Sequence, residues 1–329
     1  MILILSDRYD KHADLVCSKL EEVGVEFFRF NLDTKSLMDS LVTYRGEHWS
    51  IYQEGREIES SDFSLVWVRR PFVEVSLEEE NMNDHNFKIW RGEWNKTLLG
   101  LYNTLKFLPW LNPLRKAYQA ENKYFQMEVA RKSGFIMPDF IVSNDKDRLA
   151  KFINFYDSVV LKPMNQEFYL DQSVGTFKGL YVNKVTKKDL EEFSDTGENP
   201  VFLQSYVNKL YEVRYTVVGD EHLVCRIESQ KSRQANIDWR RYDIPNTPHY
   251  PMTPPEEIKN KVKALMGFLG IYFGALDFIV TPKGEWVFLE INTMGQWLWI
   301  EDLTGLNISG AIVNFLTKNR RKNNESFFS

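Results

Sequence analysis

At 329 residues, 43% hydrophobic and 26% charged, with a formal net charge of −5, the chain is long enough for two or three domains with substantial cores. A weakly acidic balance argues against nucleic acid as a principal partner, and no apolar run reaches membrane-spanning length. Cys17 and Cys225 lie far apart and histidines 12, 48, 85, 222 and 249 are scattered without an HxxxH pair, so a zinc site is not expected. MILILS is too short for a signal sequence and runs straight into charge, which makes a reduced, cytoplasmic protein the simplest reading.

Residues 1–33 read as strand, helix, strand. MILILS is followed by a charged loop, a helix from about His12 to Glu22 stopped by Gly24, and then VEFFRFN. This pattern opens an α/β layer with a parallel sheet, and without GxGxxG it lends no support to a Rossmann cofactor site. Short meandering strands follow between 41 and 60. SLVWVRRP is a buried strand ending in Arg69 and Arg70, which stand where α/β sheets place ligand contacts and read equally as surface charge. From Asp84 to Leu108, Phe87, Trp90, Trp94, Leu98, Leu101 and Leu105 fall at helical spacing, a core-facing stripe. Asn112-Pro113 is a turn and a domain boundary.

A helix predicted over Arg115–Ser133, capped by Gly134, carries Asn122-Lys123. DSVVLKPM is a β-branched strand delivering Lys162 to a loop, 164–180, that holds Gly175 and Gly179. Such a loop suits phosphate contact, though it does not match GxxxxGK[ST] and a solvated lysine is the alternative. VFLQSYVN is an apolar strand with a polar tail, a suitable bed for a purine ring. YEVRYTVVGDEHLVCRIES is a hairpin turning at Gly219-Asp220. With a three-residue loop, Arg214 lies opposite Arg226 and Glu212 opposite Glu228. Facing arginines call for an anion between them, unless this is simply an exposed β-face. Residues 230–252 form a long basic, aromatic loop, Thr253-Pro-Pro-Glu256 reads as a capping box opening a helix that ends at Gly270, and a last helix spans Ile308–Leu316.

ALDFIV and EWVFLEIN make a second hairpin around Pro282-Lys283-Gly284. Simple alternation puts Trp286, Phe288, Glu290 and Asn292 on one face. A four-residue turn sets Asp277 opposite Glu290 and a two-residue turn makes them diagonal neighbours. A three-residue turn breaks the pairing unless a bulge restores it. An exposed charged hairpin would share this pattern. Facing carboxylates, however, repel unless something positive lies between them, and the apolar segment Gln296–Ile300 encloses the face. Two carboxylates and an amide are hard oxygen donors suited to Mg²⁺.

Taken in order, Lys123, VVLKP with Lys162, QSYV, EVR at 212–214, Asp277 and E-I-N at 290–292 resemble the ATP-grasp superfamily over the C-terminal two-thirds of the chain. The first third looks like a pre-ATP-grasp domain. Asp238-Trp239-Arg240 and NTMGQWLWIEDLTGL look most like the graspetide maturases, which make microviridin-type ω-ester and ω-amide peptides. The resemblance implies an α/β fold of the α+β grasp kind. A pre-ATP-grasp domain would span 1–113, a small central lobe 114–203 and a C-terminal lobe with the Mg/ATP site 204–329. It implies ATP and Mg²⁺ as cofactors. Lys123 and Lys162 would contact phosphates, Gln204, Tyr206 and Val207 adenine, and Glu212 ribose. Arg214 would meet the phosphates or acyl phosphate, with Arg226 polarising the carbonyl, and Asp277, Glu290 and Asn292 would hold the metal. The implied activity activates Asp/Glu side chains of a ribosomal precursor peptide and joins them to Ser/Thr hydroxyls or Lys amines. Lys231, Arg233, Trp239 and Arg240 offer cations and flat rings to that peptide, and a homodimer is a family-level expectation. A RimK-like carboxylate–amine ligase and a non-catalytic nucleotide-dependent peptide-binding module are the alternatives.

Overall fold

The computed structural model describes residues 1–81, 84–164, 168–171, 176–179, 182–191, 194, 198–232 and 243–320. The chain opens with β1 (Ile2–Ser6), α1 (Lys11–Glu22), β2 (Phe27–Asn31) and α2 (Thr34–Met38). An antiparallel patch follows, β3 (Leu41–Arg45), β4 (His48–Gln53) and β5 (Arg56–Glu59). The domain closes with β6 (Leu65–Val68), α3 (Leu77–Asn81), α4 (His85–Thr104) and β7 (Trp110–Leu111). β2, β1, β6 and β7 make a parallel sheet in that order. Ile2, Leu3, Ile4 and Leu5 are all fully buried, as a parallel strand covered on both faces requires. Asp10 caps α1, and α4 turns Leu98, Leu101 and Tyr102 inward with Trp90 and Trp94 at the margin.

The helix predicted over Arg115–Ser133 is two helices, α5 (Leu114–Glu121) and α6 (Lys123–Lys132). Asn122 breaks it: its side chain accepts from Phe125 N and caps a new start, a role asparagine fills better than a helix interior. The restart puts Lys123 in the first turn of α6.

The middle lobe contains β8 (Phe140–Ser143), α7 (Lys146–Phe155), β9 (Val159–Leu161), β10 (Phe168–Asp171), β11 (Thr176–Gly179), β12 (Asn183–Val185) and β13 (Val201–Ser205). Its antiparallel sheet runs β12-β9-β13-β8, with Leu149 and Ile153 of α7 packed on Val159 and Leu203. The stretch predicted as a loop, 164–180, contains the β10–β11 hairpin; Gly175 lies outside the described residues and Gly179 pairs with Phe168. Ala120, Val129 and Ala130 of α5 and α6 join the core of the large sheet.

That sheet is built from β14 (Tyr211–Val218), β15 (Glu221–Ile227), β16 (His249–Met252), β17 (Phe273–Val280) and β18 (Trp286–Asn292), with α8 (Glu256–Leu269) between β16 and β17. The order is β16-β15-β14-β17-β18, antiparallel throughout. α8 begins at Glu256 without a side-chain cap, so the capping box read at Thr253 does not form. α9 (Leu298–Thr304) and α10 (Ile308–Lys318) complete the chain, α10 packing against α1 so that one core joins the first domain to the large sheet. Asn112 stitches the same junction: its Nδ2 donates to the Phe273 and Thr293 carbonyls and its Oδ1 accepts from Tyr272 N and Phe273 N.

Two registers depart from the sequence reading. The β14–β15 turn is the two residues Gly219 and Asp220, with Gly219 at φ 59°, because a two-residue turn of positive φ matches strand twist. Arg214 therefore faces Cys225, Glu212 faces Ile227, and Arg226 faces Val213. The β17–β18 loop has five residues, 281–285, and a bulge between the pairs Phe278–Phe288 and Asp277–Glu290 absorbs the odd count. The bulge flips alternation midway along β18. Phe288 pairs with Phe278 in the apolar core, while Glu290 and Asn292 lie on the other face, so the four side chains do not share a side.

Candidate active site

Asp277 and Glu290 sit directly opposite each other on the charged face of the large sheet, each 1% exposed. Like charges so placed need cations, and among the described residues three lie against them. Lys123 Nζ, from the first turn of α6, lies 2.7 Å from Glu290 Oε2. Lys162 Nζ, from the end of β9, lies 2.8 Å from the same oxygen and donates to the Leu289 carbonyl at 3.3 Å. Arg214 Nη1 donates to Asp277 Oδ1 at 2.9 Å, and its Nη2 to the Gln296 carbonyl at 3.0 Å. Asn292 lies two residues beyond Glu290, opposite Ala275.

Beside this cluster a cleft of about 590 Å³, partly open to solvent, runs between the lobes. Gln204, Tyr206 and Val207 line its middle-lobe wall; Glu212, Asp277 and Ile279 line its large-sheet wall, with Lys162 between them. Lys184 Nζ stands 4.2 Å from the Tyr206 ring centroid. Burial, and then the Glu212 charge, push the Tyr206 phenol above its ordinary pKa. Glu212 is held by Lys209, whose Nζ is 2.8 Å from Oε1 with both side chains buried. Lys209 was not singled out as a site residue in the sequence. Its only signal there is its position three residues before Glu212, at the edge of the hinge.

The predicted set thus divides. Lys123, Lys162, Glu212, Arg214, Asp277, Glu290 and Asn292 converge on one sheet face with Gln204, Tyr206 and Val207 across the cleft. Arg226 does not join them. Pairing with Val213 places it on the opposite sheet face, where its guanidinium lies 3.9 Å from the Tyr211 ring centroid and its Nε bonds Glu228. Lys231 is exposed, 3.9 Å from Glu228. Arg233, Trp239 and Arg240 lie outside the described residues. Arg69, readable either as ligand contact or surface charge, is not surface charge: it is 3% exposed, bonded to Asp10 and to the Met294 carbonyl. Arg70 stays at the surface, 3.9 Å from both Asp7 and Glu74.

Among the described residues no three His, Cys, Asp or Glu side chains gather into a metal cluster. The donor set at the site is two carboxylates and one amide, which fits a Mg²⁺ that takes few protein oxygens and completes its shell with water and phosphate. The two thiols offer no route for acyl transfer, since burial pushes both Cys17 and Cys225 up to about 12.

Residues 1–118 match the model of the MvdD pre-ATP grasp domain. A RiPP-associated ATP-grasp ligase from Chryseobacterium gregarium, solved with ADP and a leader and core peptide, superposes at TM-score 0.86 with 26% identity over 99% of both chains. Macrocyclase MdnC from Microcystis aeruginosa MRC, bound with precursor peptide MdnA, gives 0.83 and 27% over 97% of this chain and 99% of that one. MdnB from the same organism gives 0.75 and 26% over 96% and 98%. No curated protein matches. The fold is that of the ATP-grasp ligases, with an N-terminal domain matched by the pre-ATP-grasp model. Within that class the chain resembles the RiPP-associated ligases and the microviridin-type macrocyclases. Among the described residues no helix is long and apolar enough to cross a membrane.

Proposed function

We propose that this chain is an ATP-dependent peptide macrocyclase. It activates Asp or Glu side chains of a ribosomal precursor peptide as acyl phosphates and joins them to Ser/Thr hydroxyls or Lys amines. The observation that carries this reading is the buried Asp277–Glu290 pair, ringed by Lys123, Lys162 and Arg214 at the mouth of the cleft.

Gln204, Tyr206 and Val207 line the adenine pocket and Glu212, fixed by Lys209, takes the ribose hydroxyls. Lys123 and Lys162, which share the Glu290 carboxylate without nucleotide, offset phosphate charge when ATP is present, and Arg214 faces the transferring phosphoryl group. Asp277, Glu290 and Asn292 would hold Mg²⁺, which supplies further neutralisation of phosphate oxygens. A peptide carboxylate oxygen attacks the γ-phosphorus, and the bond from that phosphorus to the β–γ bridging oxygen breaks, releasing ADP. The hydroxyl or amine then attacks the acyl carbon. Phosphate leaves with the C–O electron pair, and the nucleophile's proton passes to phosphate or solvent. The geometry leaves Arg226 without a place in this scheme.

The exposed Lys231, with Arg233, Trp239 and Arg240 further along the sequence, is proposed to grip an acidic segment of the peptide. Binding through such near-solvent charges weakens as salt rises. The test is to incubate the chain with ATP, Mg²⁺ and a short acidic, Thr- or Lys-rich candidate precursor peptide, sought as a reading frame beside its gene. Mass spectrometry should show loss of one water per ring, with one ADP released for each. Mild base opens ester rings and leaves amide rings intact. Condensation of free amino acids with no peptide modified would instead favour a small-molecule ligase. A homodimer, expected from the resemblance, is checked by sedimentation.

A further inference from the structure

The N-terminal domain is more than a neighbour of the site. Asp10, the N-cap of α1, is 8% exposed and is a fixed hub: it accepts from Ser6 Oγ at 3.2 Å, His12 N at 2.9 Å and Arg69 Nε at 3.1 Å. The same Oδ1 lies 3.1 Å from His12 Nδ1. From this hub two side chains cross into the large lobe. Arg69 Nη1 donates to the Met294 carbonyl at 3.2 Å, and His12 Nε2 accepts from Trp297 N at 3.2 Å. Because Nε2 must present a lone pair to an N–H, the proton of a neutral His12 sits on Nδ1, where it bonds Asp10. The fully buried Trp297 indole packs edge-on against His12, centroids 5.0 Å apart.

Both contacts are to backbone, and they clamp the two ends of a four-residue segment. Between them lie Gly295 and Gln296. Gln296 O accepts from Arg214 Nη2, and a Cβ at Gly295 would come within 3.1 Å of that nitrogen and 2.8 Å of Ala275 Cβ. The clamped segment is therefore the wall against which the Arg214 guanidinium rests while it bonds Asp277. A buried ion pair such as Asp10–Arg69 is weak as a source of stability but strict in the geometry it imposes.

We propose that Asp10, His12 and Arg69 are positioning residues for Arg214, acting through the backbone of 294–297. The pre-ATP-grasp domain would then set the phosphoryl-transfer geometry as well as flank it. The kinetic part of this inference rests on the ligase reading above.

A double-mutant cycle tests it, using the full chain with ATP, Mg²⁺ and the same candidate precursor peptide. Arg69→Met should lower kcat on the order of 10- to 100-fold with KM for ATP nearly unchanged, the scale expected when a group is displaced by about 1 Å. In an Arg214→Met background the same substitution should have no further effect, because its action runs through Arg214. Multiplicative losses would overturn the proposal, since a general structural weakening has no reason to vanish with Arg214. If Arg69→Met fails to fold, the same cycle is run with His12→Phe, which keeps a ring but no acceptor. His12→Gln, whose Oε1 can accept from Trp297 N, should recover most of the rate, and equal rates for the two His12 variants would also sink the idea. Failure of the wild type to turn over ATP with peptide would count against the ligase reading alone. Positioning is still read by ¹⁵N NMR of arginine side chains: the Arg214 Nε–H signal should move in His12→Phe and stay in His12→Gln, and an unmoved signal in both overturns the inference.

Discussion

The two faces of the large sheet are built from the same strands and do opposite work. One packs Val213, Tyr215, Leu276, Phe278 and Phe288 against helices in a dry core. The other carries Glu212, Arg214, Asp277 and Glu290, all buried and all charged. Apolar burial contributes roughly 1.5–3 kcal/mol per large side chain, whereas buried ion pairs often do no better than break even. On the function proposed above, chemistry belongs to the charged face, whose far end still packs Val218, Cys225, Ile227 and Phe273 into the core shared with α1 and α10. The charged face holds together because each carboxylate already has a cation from its own chain.

Substitutions on the two faces should separate accordingly. Phe278→Ala removes a ring that touches Phe135, Trp286 and Phe288, with centroids 5.3–5.7 Å away. It should cost about 3–5 kcal/mol in urea unfolding and leave the rate per folded molecule largely intact. Loss of turnover with unchanged stability would erase the distinction between the faces.

Glu290→Gln should cut turnover by on the order of 10²–10³, the scale of removing one charge-stabilising group. It also leaves Lys123 and Lys162 facing each other, so the variant should unfold more easily than wild type without nucleotide. Adding Lys162→Met to it should recover part of that stability, which thermal melts of the single and double variants can show. By contrast, Lys162→Met alone should weaken ATP kinetics by about ten- to a hundredfold, for a charge-assisted contact of roughly 1.5–3 kcal/mol. Unchanged nucleotide kinetics would make that lysine a plain partner of Glu290.

Gly295→Ala meets Ala275 Cβ at 2.8 Å, a backbone-fixed atom that cannot swing aside. Overpacking of this kind costs about 1–3 kcal/mol. Here it should also lower kcat by displacing Arg214, visible as a fall in rate at temperatures where the variant is fully folded. The smallest effect concerns pH. Burial lowers the His12 pKa, with the Arg69 charge adding to it and the Asp10 hydrogen bond opposing. Below about 6.5 the unfolded chain takes up this proton first, so stability present above that pH is lost as pH falls through the lower folded value. His222 and His249, also depressed by burial, contribute in the same direction. His12→Phe should therefore show a shallower fall in urea midpoint between about pH 7 and 5.5 than wild type.

Much of this molecule is local, and the local part is legible without coordinates. The run MILILS, the stripe from Phe87 to Leu105 and the hairpin residues 211–228 and 273–292 carry their periods in the chain, because alternation and 3.6-residue spacing are set within each element. The ordered set from Lys123 to Asn292 is legible as well, since its members follow one another in a fixed order along recognisable strands and helices. What only the tertiary structure decided was register and partnership. The five-residue loop and bulge that move Phe288 away from Glu290, and the two-residue turn that moves Arg226 away from Arg214, depend on pairing across strands. A one-residue slip there reverses every side chain. The partnerships of Lys123 with Glu290, 167 residues apart, and of Arg69 with the Met294 carbonyl, 225 apart, have no local signature. They exist because buried charges far apart in sequence must find counter-charges or carbonyls wherever the folded chain brings them.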